Sequence, residues 1–276
     1  MVFHEVSREC LEWMEKQPSV KEESLTDWLL YEVSKKTNRF CYHAFKRNEE
    51  ATTGADWEWW VLTTDSQGRI GAFRFLIQAK KLWRGRDNYP LISYSNKNGM
   101  QIDLLLEEAR KRNAIPLYMY YSIGKPDLIE QINFFSDVPP RILEWCKECK
   151  NGAFFAMADH VKDNIFDSPR KKINEIELLN ASLKLSLCDL LFGKSESGNK
   201  IMTAISRYYK DYVRNKFDQD IRGNYFSRRS IPGYVYTLFE QRNQSEDAEW
   251  IEREYTRDLQ NLSGVAILDV RTDRYR

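Results

Sequence analysis

Two runs rich in aromatic and β-branched residues, 56–64 (DWEWWVLTT) and 69–80 (RIGAFRFLIQAK), flank the turn-rich tetrapeptide Asp65-Ser66-Gln67-Gly68. Such runs on either side of a short polar turn predict a buried β-hairpin. The flanking segments predict what covers it. Phe3, Val6, Cys10, Leu11 and Met14 recur at helical spacing, and Pro18 ends that run. A second helix is expected to begin at the capping cluster Ser24-Leu25-Thr26-Asp27 and to carry Leu25, Trp28, Leu29 and Val33. Residues 40–45 read as a short strand. Beyond the hairpin, Met100, Ile102, Leu104, Leu105, Leu106 and Ala109 mark a helix over about 99–112. It leads through Asn113-Ala114-Ile115 into PLYMYYS (116–122), which reads as a buried strand reached by a crossover. From about 139 to 257 the pattern is mostly helical, interrupted at 153–158 and ending on a strand at 264–270.

The chain has 276 residues, enough to bury roughly three-quarters of its unfolded surface. The expected class is α/β, a mixed sheet flanked by helices, with a core over residues 1–165 and a mostly helical extension over 166–276. With 42 basic and 41 acidic side chains the net charge is +1, which excludes a globally basic protein that coats nucleic acid and leaves room for a local groove. No apolar run approaches the roughly 18 to 20 residues of a membrane span, and the N-terminal residues lack the apolar core of a signal peptide. Five cysteines at scattered spacing suit a reducing compartment, so a cytoplasmic protein without membrane contact is expected. Cys146-Lys147-Glu148-Cys149 is a lone CxxC without the second pair that a structural zinc needs, and reads as helix cysteines. The three histidines are scattered, no Ser or Cys nucleophile has a recognisable setting, and the 12 glycines form no phosphate loop.

Chemistry concentrates in the hairpin. Asp56 and Glu58 lie two apart on one strand, Gln78 and Lys80 two apart on the next, so each pair shares a face. Hydrolysis of a phosphodiester by a metal needs oxygen ligands for a hard cation and a cation near the phosphoryl oxygens, for which Lys80 is placed. The two pairs meet only in one register. A four-residue loop at 65–68 sets Asp56 opposite residue 77 and turns Gln78 and Lys80 to the other side. A five-residue loop, or a bulge between Thr63 and Arg74, aligns Asp56 with Gln78. The site therefore requires the odd loop or a bulge.

The compound pattern Glu50-x-x-x-Gly-Ala-Asp-Trp-Glu-Trp-Trp followed by Gln78-Ala79-Lys80-Lys81, then a helix and a strand, resembles the PD-(D/E)xK restriction-endonuclease-like nucleases. The glutamine variant is similar to that of Mrr-type restriction enzymes and several bacterial defence nucleases. The motif most closely resembles a bacterial family of uncharacterised function assigned to that fold. The resemblance covers about residues 20–160. It implies a restriction-endonuclease-like sheet and a Mg2+- or Mn2+-dependent endonuclease acting on DNA, in restriction or antiphage defence. Asp56 matches the metal-binding aspartate, Gln78 the second motif position and Lys80 the catalytic lysine. Because Gln78 stands where the superfamily has an acid, another carboxylate must complete the site: Glu50 and Glu58 rank first, the helix acids Glu32 and Glu23 after them, and Glu58 reads equally as a strand carboxylate near Arg74. The competing reading is a catalytically inactive module of the same fold that binds nucleic acid or a partner protein. A homodimer or a place in a multi-subunit defence system fits either.

Two basic stretches are candidates for the phosphate backbone. Lys81, Arg84 and Arg86 follow the motif directly. Residues 201–230 carry seven basic and three acidic side chains interleaved with aromatics, including Arg207, Lys210 and Arg214. The same composition describes an amphipathic helix with its tyrosines and Phe217 buried, and the acidic stretch 244–258 behind it supplies compensating charge. Trp57, Trp59 and Trp60 read mainly as sheet-packing residues.

Overall fold

The expected hairpin forms the centre of the described sheet. The computed structural model describes residues 2–45, 53–64, 68–81, 95–121, 152–163, 225–241, 259 and 261–271. Strand β2 (Trp57–Thr64) runs antiparallel to β3 (Ile70–Lys81), from Trp57 opposite Ile77 to Thr64 opposite Ile70. Residues 65–69 thus separate the strands, the odd loop length, and one step beyond the ladder Asp56 stands opposite Gln78.

The remaining strands are β1 (Phe40–Ala44), β6 (Ile115–Tyr121), β7 (Ala153–Met157), β8 (Tyr225–Ser227) and β9 (Gly264–Asp269). The order across the sheet is β1-β9-β2-β3-β6-β7, with β8 beside β3 at residues 71–73, next to the stretch paired with β6. β9 runs parallel to β2 and β6 parallel to β3; the other pairs are antiparallel. A parallel neighbour requires a crossover. The predicted one is present, with helix α3 (Gln101–Lys111) leading into β6. A separate ribbon, β4 (Ser95–Asn96) and β5 (Gly99–Met100), precedes that helix.

Residue parity sorts the core into two layers. Trp57, Trp59, Phe75, Ile77, Leu117 and Met119 face α1 (Val2–Lys16) and α2 (Glu22–Lys36), packing on Phe3, Val6, Leu25 and Leu29. The even-numbered residues face the other side. There Leu76, Tyr118 and Tyr120 pack under Ile102, Leu105 and Ala109 of α3 and under α4 (Ala158–Val161). Trp60 and Leu62 pack under Tyr234, Val235 and Leu238 of α5 (Gly233–Glu240). Coverage on both faces explains why β2 is buried at every position. All three tryptophans of the motif are core residues, as read.

Two local expectations need correction. Helix α2 starts at Glu22, two residues before the capping cluster, and its N-cap, Lys21, makes no side-chain cap. Glu22 and Glu23 in the first turn and Lys35 and Lys36 in the last complement the helix dipole instead. Within the basic, aromatic stretch, Phe226 lies in strand β8 rather than on a helix, packed edge-on to Trp60 with ring centroids 5.0 Å apart. Among the described residues no helix is long and apolar enough to cross a membrane.

Candidate active site

Asp56 enters the sheet at the end where β3 and β6 have their C-termini, and its backbone N–H donates to Ile77 O at 2.8 Å. Gly54 makes that entry possible. Its φ is +67°, and a Cβ there would meet Gln101 O at 2.4 Å and Leu105 N at 2.6 Å. Only glycine suits both the left-handed backbone and that approach to the first turn of α3. Gly-Ala-Asp thus brings Asp56 and the start of α3 to one corner.

At that corner three side chains form a directed chain. Gln78 Nε2 donates to Asp56 Oδ2 at 2.5 Å, and the Ala79 N–H donates to the same oxygen at 3.0 Å. Gln78 Nε2 also donates to Ala79 O at 3.0 Å, while Gln78 Oε1 accepts from Gln101 Nε2 at 2.8 Å. Asp56 is half-buried; Gln78 is 2% exposed. Lys80, 5% exposed, reaches within 4.0 Å of Glu22 Oε1, and Glu22 Oε2 accepts from the Lys81 N–H at 3.0 Å. Burial pushes the Glu22 carboxyl up to about 7; Lys80 pulls it back down, and the Asp56 charge adds to the rise.

The structure therefore brings together Asp56, Gln78 and Lys80, and adds two residues that sequence reading missed. Glu22, not Glu23 or Glu32, is the helix acid of the site: Glu23 is exposed and Glu32 pairs with Lys35 at 2.8 Å. The signal was the first-turn preference for acids, hidden by starting the helix at Ser24. Gln101 carried no signal beyond opening a helix.

Of the two readings of Glu58, metal ligand or strand carboxylate near Arg74, the structure has the second. Fully buried, Glu58 accepts from Arg74 Nε at 2.9 Å and Nη2 at 2.5 Å, from Trp60 Nε1 at 2.6 Å and from the Tyr234 hydroxyl. Arg112 Nη1 lies 3.7 Å away. Both oxygens are committed to holding α5 and Arg74 against the sheet. Lys81, expected on a phosphate backbone, is 3% exposed and donates from Nζ to Pro18 O at 2.7 Å and Val20 O at 2.5 Å. It fixes the turn before α2, and through it Glu22. Glu50, Arg84, Arg86, Arg207, Lys210, Arg214, Cys146 and Cys149 lie outside the described residues.

The same corner and the β9 strand fall within one family match. The model of DUF6615, a family of unknown function, matches residues 1–273. The chain belongs to the DUF6615 family. No curated protein matches it. For DUF6615 the match takes in α1 at one end, the Asp56–Lys80 hairpin and the last strand, so hairpin and C-terminal strand belong to one family unit.

The donor set at the corner can be tested for a divalent cation. Among the described residues no three His, Cys, Asp or Glu side chains converge to hold a metal. A hard cation held by these residues would take amide or backbone oxygens beside Asp56: Ala79 O lies 3.0 Å from Gln78 Nε2, and Gln78 Oε1, turned to Gln101 in this structure, would face Asp56 once the amide is turned over. Two carboxylates close enough to repel, one of them beside Lys80 and raised towards neutrality by burial and its neighbour's charge, are also what a cation relieves. The residues fit.

Proposed function

We propose that this protein is a metal-dependent nuclease of restriction-endonuclease-like fold that hydrolyses DNA phosphodiester bonds, in bacterial restriction or antiphage defence. The observation that supports it is the register: five residues between the strands set Asp56 against Gln78, with Lys80 next on the same face beside a half-buried helix acid. The order helix, hairpin, crossover helix, parallel strand supports the fold reading. Asp56 and the Gln78 amide oxygen would hold Mg2+ or Mn2+, which when bound polarises a phosphate and lowers the pKa of a water. Lys80 offsets charge growing on the phosphoryl oxygens, its position held by Glu22. Low exposure of Gln78 and Lys80 strengthens these interactions.

The test is incubation of the purified chain with plasmid, linear and single-stranded DNA and Mg2+ or Mn2+, beside Asp56→Ala and Lys80→Ala. Cleavage should fall by roughly a hundredfold or more in each variant. Cleavage that survives both substitutions, or that no metal and substrate elicit, rejects the enzyme. One observation favours the inactive-module reading: Asp56 and Gln78 already satisfy each other. DNA binding without cleavage, unchanged in both variants, would assign the chain that role.

A further inference from the structure

The chain Gln101–Gln78–Asp56 has a direction that chemistry imposes. A carboxylate oxygen only accepts, so the Gln78 group 2.5 Å from Asp56 Oδ2 must be its NH2. The Gln78 oxygen is then turned to residue 101, which must answer with its own NH2. This leaves Gln101 Oε1 buried without a hydrogen-bond partner among the described residues. A buried amide oxygen without a donor is uncommon and calls for a reason. In this order Gln78 offers Asp56 a donor, whereas a cation between the two needs an acceptor.

Both amides are close to isosteric under a half-turn that exchanges oxygen and nitrogen. Turning both preserves their mutual hydrogen bond with donor and acceptor reversed: Gln78 Nε2 to Gln101 Oε1. The half-turn also frees Ala79 O from Gln78 Nε2 and points Gln78 Oε1 at Asp56. Resting on the nuclease reading above, we propose that Gln101 is a positioning residue that turns with Gln78, letting the Gln78 amide present nitrogen or oxygen to Asp56. Gln101 suits this because its amide can be donor or acceptor at one position, and the contact of Gly54 with the first turn of α3 holds it in place. A carboxylate at 78 would need no such partner, since both its ends are oxygens. The second glutamine accompanies the first for that reason.

The test is a double-mutant cycle read by Mn2+ binding to the full chain, with free Mn2+ measured by electron paramagnetic resonance. Gln101→Met, near in size, leaves the turned Gln78 NH2 buried without an acceptor. It should weaken Mn2+ binding about tenfold. In the Gln78→Glu background the same substitution should change affinity by less than about twofold. Gln101→Glu, which offers an oxygen, should restore binding at least to wild-type affinity. Melting in chelator confirms that each variant is folded; should Gln101→Met not fold, Gln101→Leu takes its place in the cycle. Equal weakening in both backgrounds, or none in either, overturns the proposal. Mn2+ bound by Gln78→Glu but not by wild type also overturns it, since Gln78 then never presents its oxygen. No binding by either rejects the metal site itself, and this inference with it.

Discussion

Glu22 carries the clearest consequence at the scale of a residue. Its carboxyl is raised from 4.5 to about 7, first by burial. The folded chain therefore binds more protons than the unfolded one across that window, and stability falls as pH rises through it. Below about pH 4.5 both states are protonated and the contribution is fully present; above about pH 7 it is lost. Glu22→Gln keeps the neutral form at every pH. Urea denaturation should find it close to wild type at pH 4.5 and more stable at pH 8, by at most about 3 kcal/mol. An unchanged difference across that range would show that Glu22 does not titrate there. Glu58 predicts the opposite kind of effect. Removing one partner from a buried, hydrogen-bonded ion pair strands the other, so Glu58→Ala should cost about 3–5 kcal/mol, measured by the same denaturation. Its loss should act on stability, whereas the nuclease proposal expects Asp56→Ala to act on metal binding.

At the scale of elements, the decisive contact is between the strand entry and α3. Gly54 has room for neither a Cβ nor another residue's ordinary backbone, because Gln101 O and Leu105 N occupy the space. Gly54→Ala must displace the first turn of α3 or the Asp56 backbone. It should destabilise the chain by more than about 1 kcal/mol and weaken Mn2+ binding as well. A variant that lost stability and kept wild-type affinity would separate the two roles. Lys81 does comparable service for α2. With no side-chain cap at Lys21, the carbonyls of Pro18 and Val20 are gathered by the Lys81 ammonium, and the helix start is held against β3.

For the molecule as a whole, the strand nearest the C-terminus is an interior one. β9 pairs with β1 on one side and β2 on the other, and Ile267 is 1% exposed. Ile267→Ala should cost about 2–5 kcal/mol. A fragment ending at residue 165 leaves β1 and β2 without their shared neighbour, and α5 is missing from above Trp60. It should show no cooperative thermal transition by circular dichroism. A fragment melting as sharply as the full chain would mark residues 1–165 as self-sufficient. The Glu58 network makes the same point, since Tyr234 comes from far along the chain to a residue of β2.

Much of this was legible without coordinates because it is local. Turn chemistry and aromatic, β-branched composition determine the hairpin; helical periodicity determines α1 and α3; parity along a strand pairs Gln78 with Lys80. The register narrowed to two choices, and the side chains of a site selected the odd loop that the fold has. What the chain alone could not decide lies between distant segments. Glu58 and Asp56 share parity and charge; Arg74 was legible as a neighbour of Glu58, but only the arrival of Tyr234 makes one a buried anchor while the other stays at the corner. Lys81 reads as one more base in a basic run until the turn before α2 closes over it. Glu22 and Gln101 join the site because two helix N-termini dock at one end of β3. Propensity acts over a few residues, but burial and pairing depend on which surfaces meet, and that was left to the tertiary structure.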